Sequence, residues 1–97
     1  MLAYIMLLRF TQQGIEKIKE APGRVDSAKK MFRSMGAELK SFHLVTGVYD
    51  AVVIAEMPDE RTAAKIAMAL ASLGNVRTET LRAFTEDEYR QMVSELP

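Results

Sequence analysis

The 97-residue chain has no cysteine and no tryptophan, a single histidine and no net charge, thirteen Lys and Arg balancing thirteen Asp and Glu. Without thiols there is no disulfide, no thiolate metal site and no cysteine nucleophile, and a reducing cytoplasm is the expected location. The charge balance removes the cationic surface that drives nonspecific nucleic-acid binding or attraction to acidic membranes, so neither partner is expected. A bilayer span needs about 20 consecutive apolar residues, and no run approaches that length. The apolar stretch 2–8 is interrupted by Arg9, lacks a preceding basic segment and has no small-residue cleavage site after it, so it reads as a strand and not as a signal peptide. With one His and no Cys, a metal site would have to recruit carboxylates, and their spacing matches no known cage. A phosphate-cradling glycine loop is also missing, and neither metal nor cofactor is expected.

What is present is a globular composition, 48% hydrophobic and 27% charged, sufficient for one compact domain over residues 1–97. Residues 2–10 read as a strand that Thr11 ends, followed by a polar helical stretch from Gln12 to Glu20. Ala21-Pro22-Gly23 should interrupt that helix, although Pro22 also suits the first position of a new turn. Val25, Ala28, Phe32 and Met35 then form one apolar stripe on a helix that Gly36 closes. Strands follow at 37–46 and 50–55, with Gly47-Val48 between them as a type II′ turn that pairs Thr46 with Tyr49, Val45 with Asp50 and His43 with Val52. Asp59 is an N-cap for an alanine-rich helix over 60–73, and Gly74 stops it. A fourth strand covers 76–84. Thr85-Glu86-Asp87-Glu88 is a capping box for a last short helix bearing Tyr89, Met92, Val93 and Leu96. Met31, Met35 and Met68 read as adaptable packing on helices, and Lys17, Lys19, Lys29 and Lys30, interleaved with acids, as a solvated face.

This order is the split βαβ pattern of a ferredoxin-like α+β domain, with a four-stranded antiparallel sheet plus a C-terminal helix. In that fold helices cover one sheet face and the other should be polar at every second position. The first strand does not comply, because Leu2, Tyr4, Met6, Leu8 and Phe10 face one way and Ala3, Ile5 and Leu7 the other. Across the turn, Phe42, Leu44, Ala51, Val53 and Ala55 should meet the helices. Leu39, Ser41, His43, Val45, Asp50, Val52, Ile54 and Glu56 should form a second, mixed face, too apolar for water and too polar for a dry core. The expected remedy is a homodimer or higher homo-oligomer through the open sheet face.

Gly47-Val48-Tyr49-Asp50 with Val52-Val53-Ile54, then Pro58-Asp59 and the alanine-rich helix, and finally Gly74-Asn75-Val76-Arg77-Thr78 leading to Leu81-Arg82-Ala83-Phe84-Thr85, resembles the GYD-domain proteins, named for a Gly-x-Tyr-Asp signature. The resemblance runs from Tyr4 to about Tyr89. It implies the dimeric α/β-barrel superfamily, in which two ferredoxin-like units pack their open sheet faces together. Members of that superfamily include small monooxygenases, isomerases, haem-degrading enzymes and effector-binding domains, so the resemblance carries over no reaction and no catalytic residue.

Four residues are candidates for a site between the sheet and a partner subunit. His43 titrates near neutrality and suits proton transfer, with Asp50 two positions along on the same face to orient it; equally it is a strand histidine bonded within the protein. Asp50 either acts as an acid or base between sheets or satisfies amides near the turn. Arg77 offers a planar cationic fork to an acidic ligand, or pairs with Asp50 or Glu79. Tyr4 supplies a phenol to a ligand, or is a buried core residue. The expected function is binding of a small organic molecule. The alternatives are a cofactor-independent isomerase or monooxygenase with His43 as general base, and a structural assembly module.

Overall fold

A computed structural model describes all 97 residues. The elements are β1 (Leu2–Phe10), α1 (Gln12–Glu16), a 3₁₀ turn (Ile18–Glu20), α2 (Ala21–Ser34), β2 (Glu38–Leu44), β3 (Ala51–Met57), α3 (Glu60–Ser72), β4 (Val76–Ala83) and α4 (Glu86–Ser94). The strands form one antiparallel sheet in the order β2-β3-β1-β4, the arrangement of a ferredoxin-like fold. Helices α2 and α3 lie on one face.

Local chemistry explains most element ends. Asp59 accepts the Thr62 N–H at 2.7 Å and starts α3, and these bonds hold its carboxyl below the usual carboxylate range. Thr85 and Glu88 exchange the two bonds of a capping box at the start of α4. Pro22 sits in the first turn of α2, so Ala21-Pro22-Gly23 opens this helix and does not interrupt one. The break falls earlier, at Lys17, where α1 gives way to the 3₁₀ turn. Arg24 satisfies the carbonyls left over there, donating to Lys17 O at 2.9 Å and Gly14 O at 3.2 Å.

The core lies between the sheet and the helices. Phe32, Met6, Met57 and Ile66 are its largest fully buried side chains, and Ala51 and Ala55 let the helices approach the sheet backbone. Burying each of the larger side chains stabilises the fold by about 1.5–3 kcal/mol. Tyr4, Met6 and Leu8 of β1 face this core together with Ala51, Val53, Ala55 and Met57 of β3. Ala3, Ile5 and Leu7 point to the other face with Val52 and Ile54, and no helix covers them.

Three expectations about side-chain placement change. Leu39 is buried on the helix side, because a β-bulge between Leu39 and Ser41 shifts its parity relative to His43. Leu44 has core parity but lies beyond the helices and is exposed, as is Met68 on the outer side of α3. The β2–β3 connection is also longer than a two-residue turn. The strands end at Leu44 and resume at Ala51, so Thr46 and Tyr49 do not pair within them. Val45 N–H still donates to Asp50 O at 3.0 Å, but the Asp50 N–H goes to Leu8 O of β1 at 2.8 Å and draws the loop sideways. His43 nevertheless sits opposite Val52. Gly47 takes φ +126° in this loop, a conformation that side-chain-bearing residues rarely adopt.

Where β1 meets α1, the chain is latched to the α3–β4 connection. Thr11 donates its backbone N–H to Asn75 O at 3.0 Å and its hydroxyl to Gly74 O at 2.5 Å, while accepting the Gly14 N–H at 3.1 Å. Gln13 Nε2 reaches Asn75 Oδ1 at 3.0 Å and Leu73 O at 3.2 Å. Gly14 is buried against this connection, and a Cβ there would collide with the Asn75 carbonyl oxygen. Helix propensity alone favours Ala over Gly by about 1 kcal/mol. Overpacking against a backbone atom costs about 1–3 kcal/mol. Calorimetry of Gly14→Ala should therefore show a lowered melting temperature. Gly23→Ala, whose Cβ would enter open space on α2, should leave it unchanged or raise it.

Candidate functional site

On the open face the register aligns His43 of β2, Val52 of β3, Leu7 of β1 and Glu79 of β4 in one row across the sheet. The next row toward the β2–β3 loop sets Arg9 of β1 opposite Arg77 of β4. Two cations facing each other across strands repel. Tyr49 relieves this: its ring lies under the Arg9 guanidinium, 5.0 Å from centroid to Cζ, and its hydroxyl donates to the Glu79 carboxylate. The Glu79 hydrogen bond, with smaller contributions from desolvation and the carboxylate charge, raises the phenol above its ordinary value, and Arg9 opposes the shift. Arg77 is exposed, with no hydrogen bond or ion pair inside the chain, and is the cation left uncompensated.

Asp50 has a different task. Its Oδ2 accepts the Phe10 N–H at 2.9 Å, continuing the bonding of β1 where the β3 backbone has turned away. The alternative reading had Asp50 satisfy amides near the turn; the amide it meets instead belongs to β1, forty positions away. Gly47, Tyr49 and Asp50 together bend the loop, lay it over the open face and bind it to β1.

The four candidate residues do not converge within one chain. Tyr4 is 5% exposed beneath α3 on the helix-covered face, with its hydroxyl unpartnered and Arg82 over its ring at 5.7 Å. The sheet separates it from His43. His43 is exposed and has no hydrogen-bond partner, while the Asp50 carboxylate bonds to Phe10, so no His–Asp dyad is formed. Arg77 lies three strands from His43, roughly 14 Å at the ~4.8 Å strand spacing. It pairs with neither Asp50 nor Glu79.

The sequence reading missed Arg9 as the partner of Tyr49 and missed the Thr11-Gln13-Gly14 latch. A glycine inside a helix three residues after a threonine N-cap was the available signal for the latch, because such a glycine usually answers a close approach. It also missed a cavity of about 810 Å³ on the helix side. Leu8, Phe10, Phe42, Val53 and Val76 form its floor, and the splayed helices α2 and α3 form its walls.

The sequence model of the GYD domain family matches residues 4–93. The chain is similar to a Thermus thermophilus protein named glutamine synthetase and cystathionine beta-lyase binding protein, with 33% identity over 81 residues, covering 82% of this chain and 85% of the relative. Its fold is similar to the crystal structure of TTHA0845 from Thermus thermophilus, with a TM-score of 0.57 and 25% identity, covering 88% of this chain and 95% of that one.

Two measurements test the roles given to the signature residues. Asp50→Ala leaves a half-buried amide unpaired and should cost about 1–3 kcal/mol in urea unfolding, with faster hydrogen exchange at Phe10. Asp50→Asn, which retains an acceptor, should recover part of the loss. For Tyr49, the folded-state value lies above the unfolded one, so the bond contributes below about pH 10 and its contribution disappears as pH rises through the elevated value. Ultraviolet titration of the native chain against Tyr49→Phe should assign a late ionisation to Tyr49, and Glu79→Gln should bring it back toward the ordinary value.

Proposed function

The chain belongs to the GYD-domain family, and on that premise we propose that it is a non-catalytic binding module that works as a homo-oligomer. The observation that carries this reading is the uncovered sheet face. Ala3, Ile5, Leu7, Val52 and Ile54 form a continuous apolar strip with Leu81, and no element of the chain packs over it. Pairing with the same face of a second copy removes that strip from water at both partners and needs no new element. The charges around it, Arg9, Arg77 and Lys40 against Glu38, Glu56 and Glu79, balance, so two identical faces meet without net repulsion.

A binding role also agrees with the name of the Thermus relative, which describes a protein that binds two enzymes. We extend from it that protein partners belong to the function of this chain. Catalysis by His43 draws no support from its surroundings, since it lacks an orienting carboxylate and sits at one edge of the sheet.

A second reading, small-molecule binding between the facing sheets, is favoured by the uncompensated Arg77. Because His43 and Arg77 are too far apart in one copy to grip a small ligand, the site would be assembled across the interface, with Arg77 taking the carboxylate of an organic acid. Tyr4 is excluded from such a site by its position on the other face.

Light scattering at micromolar concentration should give a dimer or larger assembly for the native chain. Ile54→Glu, which places a charge in the middle of the strip, should lower the mass while far-ultraviolet dichroism stays unchanged. A monomeric native chain would contradict the proposal. For the second reading, short-chain organic acids should raise the melting temperature of the native protein and not that of Arg77→Ala.

A further inference from the structure

Two apolar surfaces of this chain are left without partners on the side of the sheet away from the open face or beyond its end. One is the groove between α2 and α3. The other is helix α4, none of whose residues is buried and which packs along no other element. Tyr89, Met92, Val93 and Leu96 are 60%, 40%, 48% and 68% exposed. Tyr89, Met92 and Val93 fall at i, i+3 and i+4 on one side of the helix, and Leu96, just past its C-terminal cap, continues the spacing at i+7, the pattern of an amphipathic helix that lies in an apolar groove.

We propose that α4 of one copy occupies the groove between α2 and α3 of a second copy, reciprocally. Topology prevents α4 from filling the groove of its own chain. It leaves the sheet at the end where Ala83 pairs with Ala3, whereas the groove floor is at the end where Val76 pairs with Phe10. The eight residues of β4 separate these ends by roughly 26 Å, α4 is only about 14 Å long, and Phe84 and Thr85 alone connect it to β4. Two copies laid antiparallel place each α4 beside the groove of the other, a closed two-fold exchange.

Charge selects the same pairing. Residues 86–96 carry Glu86, Asp87, Glu88 and Glu95 against the single Arg90, a net charge of −3. The segment 12–34, which supplies one wall and the mouth of the groove, carries Lys17, Lys19, Arg24, Lys29, Lys30 and Arg33 against Glu16, Glu20 and Asp26, a net charge of +3. The open sheet face, by contrast, is balanced and gives an acidic helix no preference. The groove interior also suits an apolar stripe better than a small polar ligand. Of its polar lining groups, Gln13, Asn75 and Arg24 are already bonded to each other or to backbone carbonyls, and Lys17, Glu20 and Ser27 are the ones left free, all on the side of segment 12–34.

The inference does not depend on pairing of the open faces. The absence of native cysteine allows a direct test: Ala28→Cys, in the groove wall, is mixed with Val93→Cys under mild oxidation. A mixed disulfide dimer is expected, well above the yield from Lys30→Cys with Val93→Cys, where the first thiol is on the outer side of α2. Equal yields from both pairs would overturn the proposal, as would a co-purified small molecule that native mass spectrometry finds bound and that blocks the crosslink. The double variant Met92→Glu/Val93→Glu should lower the mass by light scattering at an unchanged far-ultraviolet dichroism spectrum. The mass should fall to that of a sheet-paired dimer, or to a monomer if the open faces do not pair. An unchanged mass would overturn the proposal and leave the sheet pairing intact.

Discussion

A sheet must bury whichever of its faces the strands make apolar, and in this chain β1 and β3 are apolar on both. The helices cover one face only. That mismatch governs the rest of the molecule. On the covered side Phe32, Met6, Met57 and Ile66 close a small core over alanines that admit the helices. On the uncovered side Ile5, Leu7, Val52 and Ile54 stand in an apolar strip that a second copy of the same strip would complete.

The two sequence blocks that identify the family act at one end of this sheet. Tyr49 and Asp50 fasten the β2–β3 loop to β1 and β4, through Glu79 and Arg9 on the open face and through the Phe10 amide in the sheet plane. Gly74 and Asn75 fasten the α3–β4 connection to Thr11 and Gln13. Hydrogen bonds between segments distant in sequence hold both attachments. The signature therefore has a sufficient physical account as a clamp, and it leaves Arg77 without a partner inside the chain.

How legible each feature was depended on how local its cause is. The capping box at Thr85 and Glu88 and the Asp59 N-cap act within three residues and could be read directly. The helix side of Leu39 could not, because the bulge that sets it exists only in the pairing of β2 with β3. The Asp50 bond to Phe10 was equally hidden, since nothing near Asp50 in the chain specifies which amide it meets. Tyr4 was grouped with His43, and only the pairing of β1 with β3 shows that its side of β1 is the one the helices cover. That grouping paid no heed to the two faces of a sheet.

Residue order alone determined the element sequence, the absence of thiol chemistry, and the excess of apolar surface on β1, because composition and periodicity are properties of the chain itself. Only the tertiary structure decided that His43, Asp50, Arg77 and Tyr4 do not converge within one chain, that a groove opens between α2 and α3, and that α4 stands at the far end from it. Those outcomes depend on strand order, register and the distance between sheet ends, which arise when segments distant in sequence pack together.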